Sequence, residues 1–448
     1  VPKICILELS KPGIQVLLNN AMNKTFPILQ SNTACINKWG WSSLYLNSGS
    51  TASCHRCKHY KFDENTIMNF HNLPQKLADR EKMLQGEWPG NGCEYCRDVE
   101  AVGGYSDRRK FYENMADEAI PVELKSDPNA TVVSPTILEV YFSNTCNQSC
   151  VYCRPRFSSQ IEHEVRKFGP SKYNDDYGHF TGDERPNYKV YLAKFFEWMQ
   201  INGNKLLALK MLGGEPLYQE EFDLLLDFFD KNPCPNLQWD IFTNLNHDTE
   251  KFKVKMKKLK LLIGTQKLKG VHFICSIDTW GPDVEYVRYG FDMKTADANM
   301  NLILSVHGVT SEVHATITAL SMPSMYLLAQ KCKEWSQRKR VTFHWNTVVQ
   351  PTCFDIYNFG NYLKDDIQKF INELVEGSTF DAHFEAEPYQ RTILGIQKRM
   401  ETSNVNVAEV KKLAGFLDEL DIRRNENWKE RFPYIAGIIK EIIEKHDV

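Results

Sequence analysis

The chain has 448 residues, 42% hydrophobic and 25% charged, the make-up of an ordinary globular protein with room for two or three domains. A net charge of −3 gives no whole-chain basis for binding nucleic acid, no apolar run approaches the ~18 residues of a membrane span, and residues 1–30 lack a signal-peptide layout, so a cytoplasmic protein without a membrane partner is expected. The 13 cysteines are odd in number and many fall in short C-x2-C spacings, which favours metal or cluster ligation in a reducing compartment over disulfides.

Residues 1–34 form an N-terminal segment with no usable motif, and Cys5 reads as an isolated core or surface thiol. Residues 35–124 read as a cysteine-rich module. It opens with Cys35 and Trp39-Gly40-Trp41, continues through a strand at Ser43–Leu46 and a turn at Asn47-Ser48-Gly49, and reaches Cys54 and Cys57. Its second half runs through Gly92 into Cys93-Glu94-Tyr95-Cys96. Cysteines in two groups at opposite ends of a hairpin-and-helix module suggest a tetrahedral metal or a fully ligated cluster. On spacing alone Cys54, Cys57, Cys93 and Cys96 would make a four-cysteine zinc ribbon. The polar run Glu100, Gly103-Gly104, Ser106 and Arg108-Arg109 reads as a capped turn and a solvated helix start. The Ser/Asp/Pro/Asn mix within 125–135 marks a linker.

From Thr136 strand-like and helix-like segments alternate, the mark of βα units and a parallel sheet. Strands are expected at 137–143, 206–212, 237–243, 271–277, 312–319 and 341–348, with helices such as Tyr188–Gln200, Glu220–Asp230 and Met325–Arg338 between them. Periodicity permits either a barrel or a flat doubly wound sheet, and in both the ligands bind at the carboxyl ends of the strands. Residues 154–187 are a long insertion rich in Tyr, Asp, Gly and Pro, read as a structureless lid or surface loop. Residues 356–448 read as helical, with an amphipathic run at Ile367–Leu374 and a last helix near Tyr434–Lys445.

The chemistry sits at strand ends. Cys146, Cys150 and Cys153 follow the first strand at C-x3-C-x2-C spacing. Three thiolates on one loop can hold a [4Fe-4S] cluster with one iron left open for a substrate or cofactor. The bland alternative is a zinc site short of its fourth ligand, with His163 the nearest further donor. After the second strand comes Gly213-Gly214-Glu215-Pro216, where two glycines let the backbone approach a ligand and the carboxylate can hold an ammonium group. His314, Thr316 and Thr318 share one face of the fifth strand, and His344 and Asn346 one face of the sixth, while Glu139 and Tyr141 lie on a similar polar face of the first. These are substrate candidates, the plain reading being satisfied interior polar groups. The alternating Val313, Ala315, Ile317, Phe343 and Trp345 suit the helix-facing side. Cys275 reads as a packed thiol, and Cys353 as packing or as a hydrogen-atom donor to a substrate radical.

The cysteine motif with Tyr152 before its last member, Gly213-Gly214-Glu215 one unit later, Thr243-Asn244, Ser276-Ile277-Asp278 and then Arg288 stand in the order seen in the radical S-adenosylmethionine (radical SAM) superfamily, which the chain resembles over roughly 35–109 and 136–350. The resemblance implies a partial (β/α)6 TIM-like barrel over 136–355. It also implies a catalytic [4Fe-4S] cluster on Cys146, Cys150 and Cys153, and S-adenosyl-L-methionine surrounded by Tyr152, Gly213, Gly214, Glu215, Thr243, Asn244, Ser276, Asp278 and Arg288. In that family the glycine–glutamate motif holds the amino group of the cofactor. Arg288 looks like the arginine that pairs with its carboxylate. Reductive cleavage then gives methionine and a 5'-deoxyadenosyl radical that abstracts hydrogen from a substrate. The electron comes from an external flavodoxin- or ferredoxin-like donor.

The spacing from Cys35 to Gly49 to Cys54 resembles the opening of SPASM/Twitch modules, written C-x(9–15)-G-x4-C. That implies a second, auxiliary [4Fe-4S] cluster on Cys35, Cys54, Cys93 and Cys96, with zinc as the alternative occupant. Cys57 departs from the pattern, and so does the order, because the module usually follows the catalytic domain. The segment Phe416 to Pro433 resembles a tail of Twitch-containing members and is assigned a packing role. Relatives with such modules often modify peptides or proteins, so a peptide or protein substrate is expected, although residues 1–34 show no clear winged-helix recognition domain. The alternative is a small metabolite such as a sugar, nucleotide or amino-acid derivative. The non-enzyme alternative is a metal-binding regulatory protein, against which Glu215, Ser276 and Arg288 argue.

Overall fold

The computed structural model describes residues 31–114, 117–174, 177, 187–375 and 387–446. Cys5, most of segment 1–34 and the later part of the expected lid lie outside these residues. The chain forms two compact units: one comprises the chain through Leu44 with Gly49–Leu138 and Ala193–Trp198, the other Tyr45–Ser48, Glu139–Leu192 and Met199–Val448.

The first unit holds three short strands, β1 (Trp41–Tyr45), β2 (Ser50–Ala52) and β3 (Tyr60–Lys61), of which β2 and β3 pair antiparallel with Ser50 opposite Lys61. Three longer helices follow: α1 (Pro74–Leu84), with proline at its first position where its missing N–H costs nothing, α2 (Glu94–Ala101) and α3 (Asp107–Asn114). Trp39, Ala52, Met83, Leu124 and Val133 build an apolar core, with Cys57 and Cys93 inside it and Cys35 and Cys54 against it.

The second unit is α/β. Its larger sheet has the order β4 (Ile137–Tyr141), β6 (Ala208–Leu212), β7 (Cys234–Thr243), β8 (Leu268–Ser276), β10 (Val309–Ile317), β11 (Val341–Thr347), and the pairs from β6 to β11 are all parallel. A separate ladder of two residues joins β5 (Ser149–Cys150) to β9 (Arg288–Tyr289) antiparallel. The connecting helices are α4 (Ser159–Phe168), α5 (Tyr188–Asn202), α6 (Glu220–Lys231), α7 (Thr249–Gly264), α8 (Met293–Ser305) and α9 (Met325–Ser336). Several start on an aspartate or serine that takes an orphan backbone donor: Asp248 accepts from Lys251 N, Asp292 from Thr295 N and Ser158 from Ile161 N. The helices that follow β11 include α10 (Lys364–Val375), α11 (Val407–Arg424) and α12 (Pro433–His446).

The strand alternation explains which side faces the helices. Leu209, Met211, Trp239, Ile241, Val271, Phe273, Cys275, Val313, Ala315, Phe343 and Trp345 are all buried. Burying such side chains contributes ~1.5–3 kcal/mol each, so this face fixes the register. The intervening residues form the other face, where Lys210, Gln238, His272, Glu312, His314, Thr316 and His344 are polar and half-buried and Leu212, Phe242 and Ile274 are apolar.

Two expectations need correction. The stretch 154–187 is not structureless, since α4 lies within it, begun by the Ser158 cap and ended where Gly169 turns to φ +84°. Its apolar stripe is thin, with Ile161 the buried residue, and charged neighbours mask it. Thr318 leaves the strand face because β10 ends at Ile317; its hydroxyl is buried against Ser321 Oγ at 3.1 Å. No helix among the described residues is long and apolar enough to cross a membrane.

Candidate metal and cofactor sites

In the second unit the cysteine loop is held from three sides. At its start Asn144 Nδ2 donates to Pro155 O (2.9 Å) and Glu162 Oε2 (2.7 Å), Ser159 Oγ accepts from Cys146 N (3.1 Å), and Ser158 Oγ donates to Gln148 O (2.7 Å). The loop therefore wraps the first turn of α4. At its end, the β5–β9 ladder sets Cys150 opposite Arg288, and Val151 N donates to Val287 O at 2.9 Å. From the third side, Glu215 N donates to Thr145 O at 2.7 Å. A Cβ on Gly214 would stand 2.2 Å from that same carbonyl, and φ is +59°, so only glycine fits.

Glu215 is 1% exposed. Its carboxylate accepts from Asn244 N (2.6 Å), Thr243 Oγ1 (2.7 Å) and Leu217 N (3.2 Å). Asn244 Nδ2 in turn donates to Asn147 Oδ1 in the cysteine loop at 2.8 Å. Four expected residues, Gly214, Glu215, Thr243 and Asn244, are thus brought together with the cysteine loop. Burial pushes Glu215 up to about 7, its hydrogen bonds and the charge of Arg288 pulling the other way. A cation placed against it would favour the carboxylate form.

Arg288 is buried, and its Nη1 donates to Tyr152 Oη (2.8 Å) and Asp278 Oδ2 (3.1 Å). Tyr152 Oη donates to the same Asp278 oxygen at 2.5 Å, and Asp278 Oδ1 accepts from Thr316 N at 2.9 Å. Asp278 is fully buried, and its Oδ2 holds Arg288 and Tyr152 in place. Arg288 Nε is a buried donor with no partner, as is Gln148 Nε2. An acceptor is wanted there. Burial raises the thiols of Cys146, Cys150 and Cys153, the last to about 12, and Cys150 raises both of the others. Three crowded, desolvated thiols lose their protons readily only to a metal cation. Donor set, carboxylate and orphaned arginine fit a thiolate-bound cluster beside an amino-acid ligand. Ser276 lies at the end of β8, in register with His314.

The polar sheet face extends further than expected. His314 and His344 pair across β10 and β11, as do Thr316 and Asn346, and Asn346 Nδ2 lies 2.7 Å from His314 Nε2. Glu312, which the sequence reading passed over, sits among three imidazoles: His344 Nε2 at 3.5 Å, His272 Nε2 at 3.6 Å and His314 Nδ1 at 3.9 Å. Burial would raise Glu312, but His272, His344 and His314 hold it below its usual value. Lys210 and Asp240, in register on β6 and β7, stand 3.5 Å apart and continue the row. The alternation that flagged His314 marks these too. Glu139 is buried, and Tyr141 stacks on Tyr45 with ring centres 4.3 Å apart. Cys353 is fully buried, and its thiol is raised by burial to about 12, which suits packing.

In the first unit Cys57 and Cys93 lie in the apolar core, with Cys35 and Cys54 packed against it. Cys57 interacts most strongly with Cys54 and Cys93, Cys35 acts on both of these, and Cys96 acts on Cys35. Contacts with Cys54 and Cys93 hold the Cys57 thiol below its ordinary value, and those two are pushed up in return. The two C-x2-C loops touch through backbone: Lys58 N donates to Asn91 O at 3.3 Å, and a Cβ on Gly92 (φ +94°) would stand 2.1 Å from Arg56 O. The polar run after Cys96 is not a solvated start. Glu100 pairs with Arg108 and Ser106, and buried Arg108 donates to Ala34 O at 2.7 Å, closing the nest. Among the described residues no three His, Cys, Asp or Glu side chains are arranged to hold a single metal ion, and every described cysteine is free.

No family model and no curated protein matches the chain. Solved structures do show similarity. Streptococcus suis SuiB bound to S-adenosylmethionine is 16% identical, with 75% of this chain and 69% of that one covered and a TM-score of 0.37. SuiB bound to its precursor peptide SuiA is 14% identical over 74% and 68%, TM-score 0.34. The protein anSMEcpe with bound AdoMet is 15% identical over 54% and 59%, TM-score 0.31.

Proposed function

We propose that the chain is a radical SAM enzyme with a Twitch-like auxiliary module over residues 35–124 and a partial (β/α)6 barrel over 136–355. One observation carries the reading. The loop of Cys146, Cys150 and Cys153 is hydrogen-bonded to the Gly213-Gly214-Glu215 turn and to Asn244, and it is paired with Arg288. Residues scattered over more than a hundred positions thus form one site in the family's order.

Cys146, Cys150 and Cys153 would hold the cluster. Glu215 would receive the cofactor's ammonium group and Arg288 Nε its carboxylate, with Asp278 and Tyr152 keeping the guanidinium aimed. Bound there, the cluster would supply the electron that converts S-adenosylmethionine to methionine and a 5'-deoxyadenosyl radical able to take hydrogen from a substrate. Burial around Glu215 and Arg288 excludes water from the reacting groups. The polar row of Glu312, His314, His344 and Asn346 would orient the substrate, which in our reading is a peptide or protein.

The test is anaerobic incubation with S-adenosylmethionine and a one-electron reductant, wild type beside Cys150→Ala. The wild type is expected to make 5'-deoxyadenosine and the variant none. Equal production by both would refute the reading.

A further inference from the structure

Gln148 stands between Cys146 and Cys150 in the cysteine loop and is 1% exposed. Its backbone is fixed on both sides. Gln148 O accepts from Ser158 Oγ at 2.7 Å, and the next residue, Ser149, pairs with Tyr289 in the β5–β9 ladder. Against it lies Gly290 (φ +96°), where a Cβ would stand 3.0 Å from Asn147 O and 3.7 Å from Gln148 Cγ. A side chain at 290 would press on the loop, so glycine lets the ladder run close beside it.

The amide of Gln148 is only half used. Its Oε1 accepts from Cys150 Sγ at 3.7 Å, a sulfur-length contact, while its Nε2 is buried without a partner. A buried amide donor left unpaired is costly, and an apolar side chain of the same size would carry no such cost. Arg288, opposite Cys150 in the ladder, is committed elsewhere, its Nη1 donating to Tyr152 Oη and Asp278 Oδ2.

The sulfur of Cys150 can itself be the missing acceptor. As a thiol it has one proton, which it gives to Oε1. Bound to a metal it is a thiolate, has no proton to give, and only accepts. A half-turn about the last torsion of the glutamine exchanges Oε1 and Nε2 without changing the volume filled. Glutamine can therefore bond this sulfur in either form, which a fixed donor or a fixed acceptor could not.

We propose that Gln148 is a positioning residue for the Cys150 sulfur, holding the thiol through S–H···O and the metal-bound thiolate through N–H···S, and that the second bond raises the midpoint potential of the cluster. This rests on the reading that Cys150 is a cluster ligand. An N–H aimed at a ligand sulfur stabilises added negative charge, and hydrogen bonds to sulfurs are among the factors that set cluster potentials. Such a bond makes the centre easier to reduce by the same one-electron donor.

The experiment loads the full chain anaerobically with iron and sulfide. Iron content is measured, and the midpoint potential is read by dithionite titration followed by electron paramagnetic resonance, using only the signal that Cys150→Ala removes. Gln148→Leu and Gln148→Met fill similar space without a donor. Both are expected to hold iron as wild type does and to be harder to reduce. At a fixed potential the ratio of reduced to oxidised cluster should fall about tenfold, a downward shift of about 59 mV for one electron. An unchanged or raised potential in either iron-loaded variant overturns the proposal and leaves the cluster reading standing. Where one variant alone keeps its iron, its potential decides. Loss of iron from both also overturns the proposal, because a bond that tunes one sulfur does not decide whether the cluster is held. If no signal of the wild type depends on Cys150, the reading of the site fails and the proposal with it.

Discussion

Around Cys146, Cys150 and Cys153, nearby groups still have something to offer: Arg288 carries an unpaired buried donor, and Glu215 is a carboxyl raised to about 7 by burial. Around Cys35, Cys54, Cys57, Cys93 and Cys96 the neighbours are an apolar core and a lysine already engaged with Asp79. The first arrangement has three sulfurs and spare polar capacity, and the second has five sulfurs and little of it. On the proposed reading, sulfur count and charge together separate a site that would receive a further ligand from one that would be complete.

Removing a sulfur breaks the comparison most sharply. Cys150→Ala should bring 5'-deoxyadenosine production to background and remove the iron of one unit while leaving the metal of the other, as read by metal analysis. Backbone clashes come next. Gly214→Ala and Gly92→Ala should each cost roughly 2–4 kcal/mol in chemical denaturation, and each should empty its own site and spare the other. Glu215→Gln should weaken S-adenosylmethionine binding by about 1.5–3 kcal/mol in anaerobic equilibrium dialysis, while Lys38→Met leaves that binding unchanged.

A pH series sharpens the same point. Because Glu215 is raised to about 7, its carboxylate is lost as pH falls through that value. Affinity for the cationic end of the cofactor should therefore rise from pH 6 to pH 8 and then level off, and Glu215→Gln should flatten this rise. The smallest effect belongs to Gly103→Ala. Nothing lies within 4 Å of its Cβ position, so only the strain of φ +77° remains, about 1 kcal/mol.

Much of this was legible in the sequence. The six strands were visible because apolar residues at alternate positions, such as Val313, Ala315 and Phe343, had to face helices. The candidate cofactor residues stood out by their order along the chain. What was hidden depended on partners far away in sequence. Nothing local marks Asp278 as the residue that aims Arg288 and Tyr152, or Ser158 and Ser159 as anchors for the cysteine loop. Glu312 and His272 followed the same alternation as His314, but they lie lower on their strands, away from the ends where ligands are sought. In the first unit, spacing alone pointed to Cys54, Cys57, Cys93 and Cys96, and the family resemblance to Cys35 in place of Cys57.

The ladder between β5 and β9 sets Cys150, proposed as a sulfur ligand, opposite Arg288, proposed to bind the cofactor carboxylate. Assembly and damage are then shared events. A chain still waiting for iron should hold Arg288 loosely, and one stripped of iron by oxygen should release it again. Cleavage near Tyr289 by a protease would report loading before any turnover is measured. Such a chain would be recognisable as incomplete by its own fraying, without a separate sensor for the missing cluster.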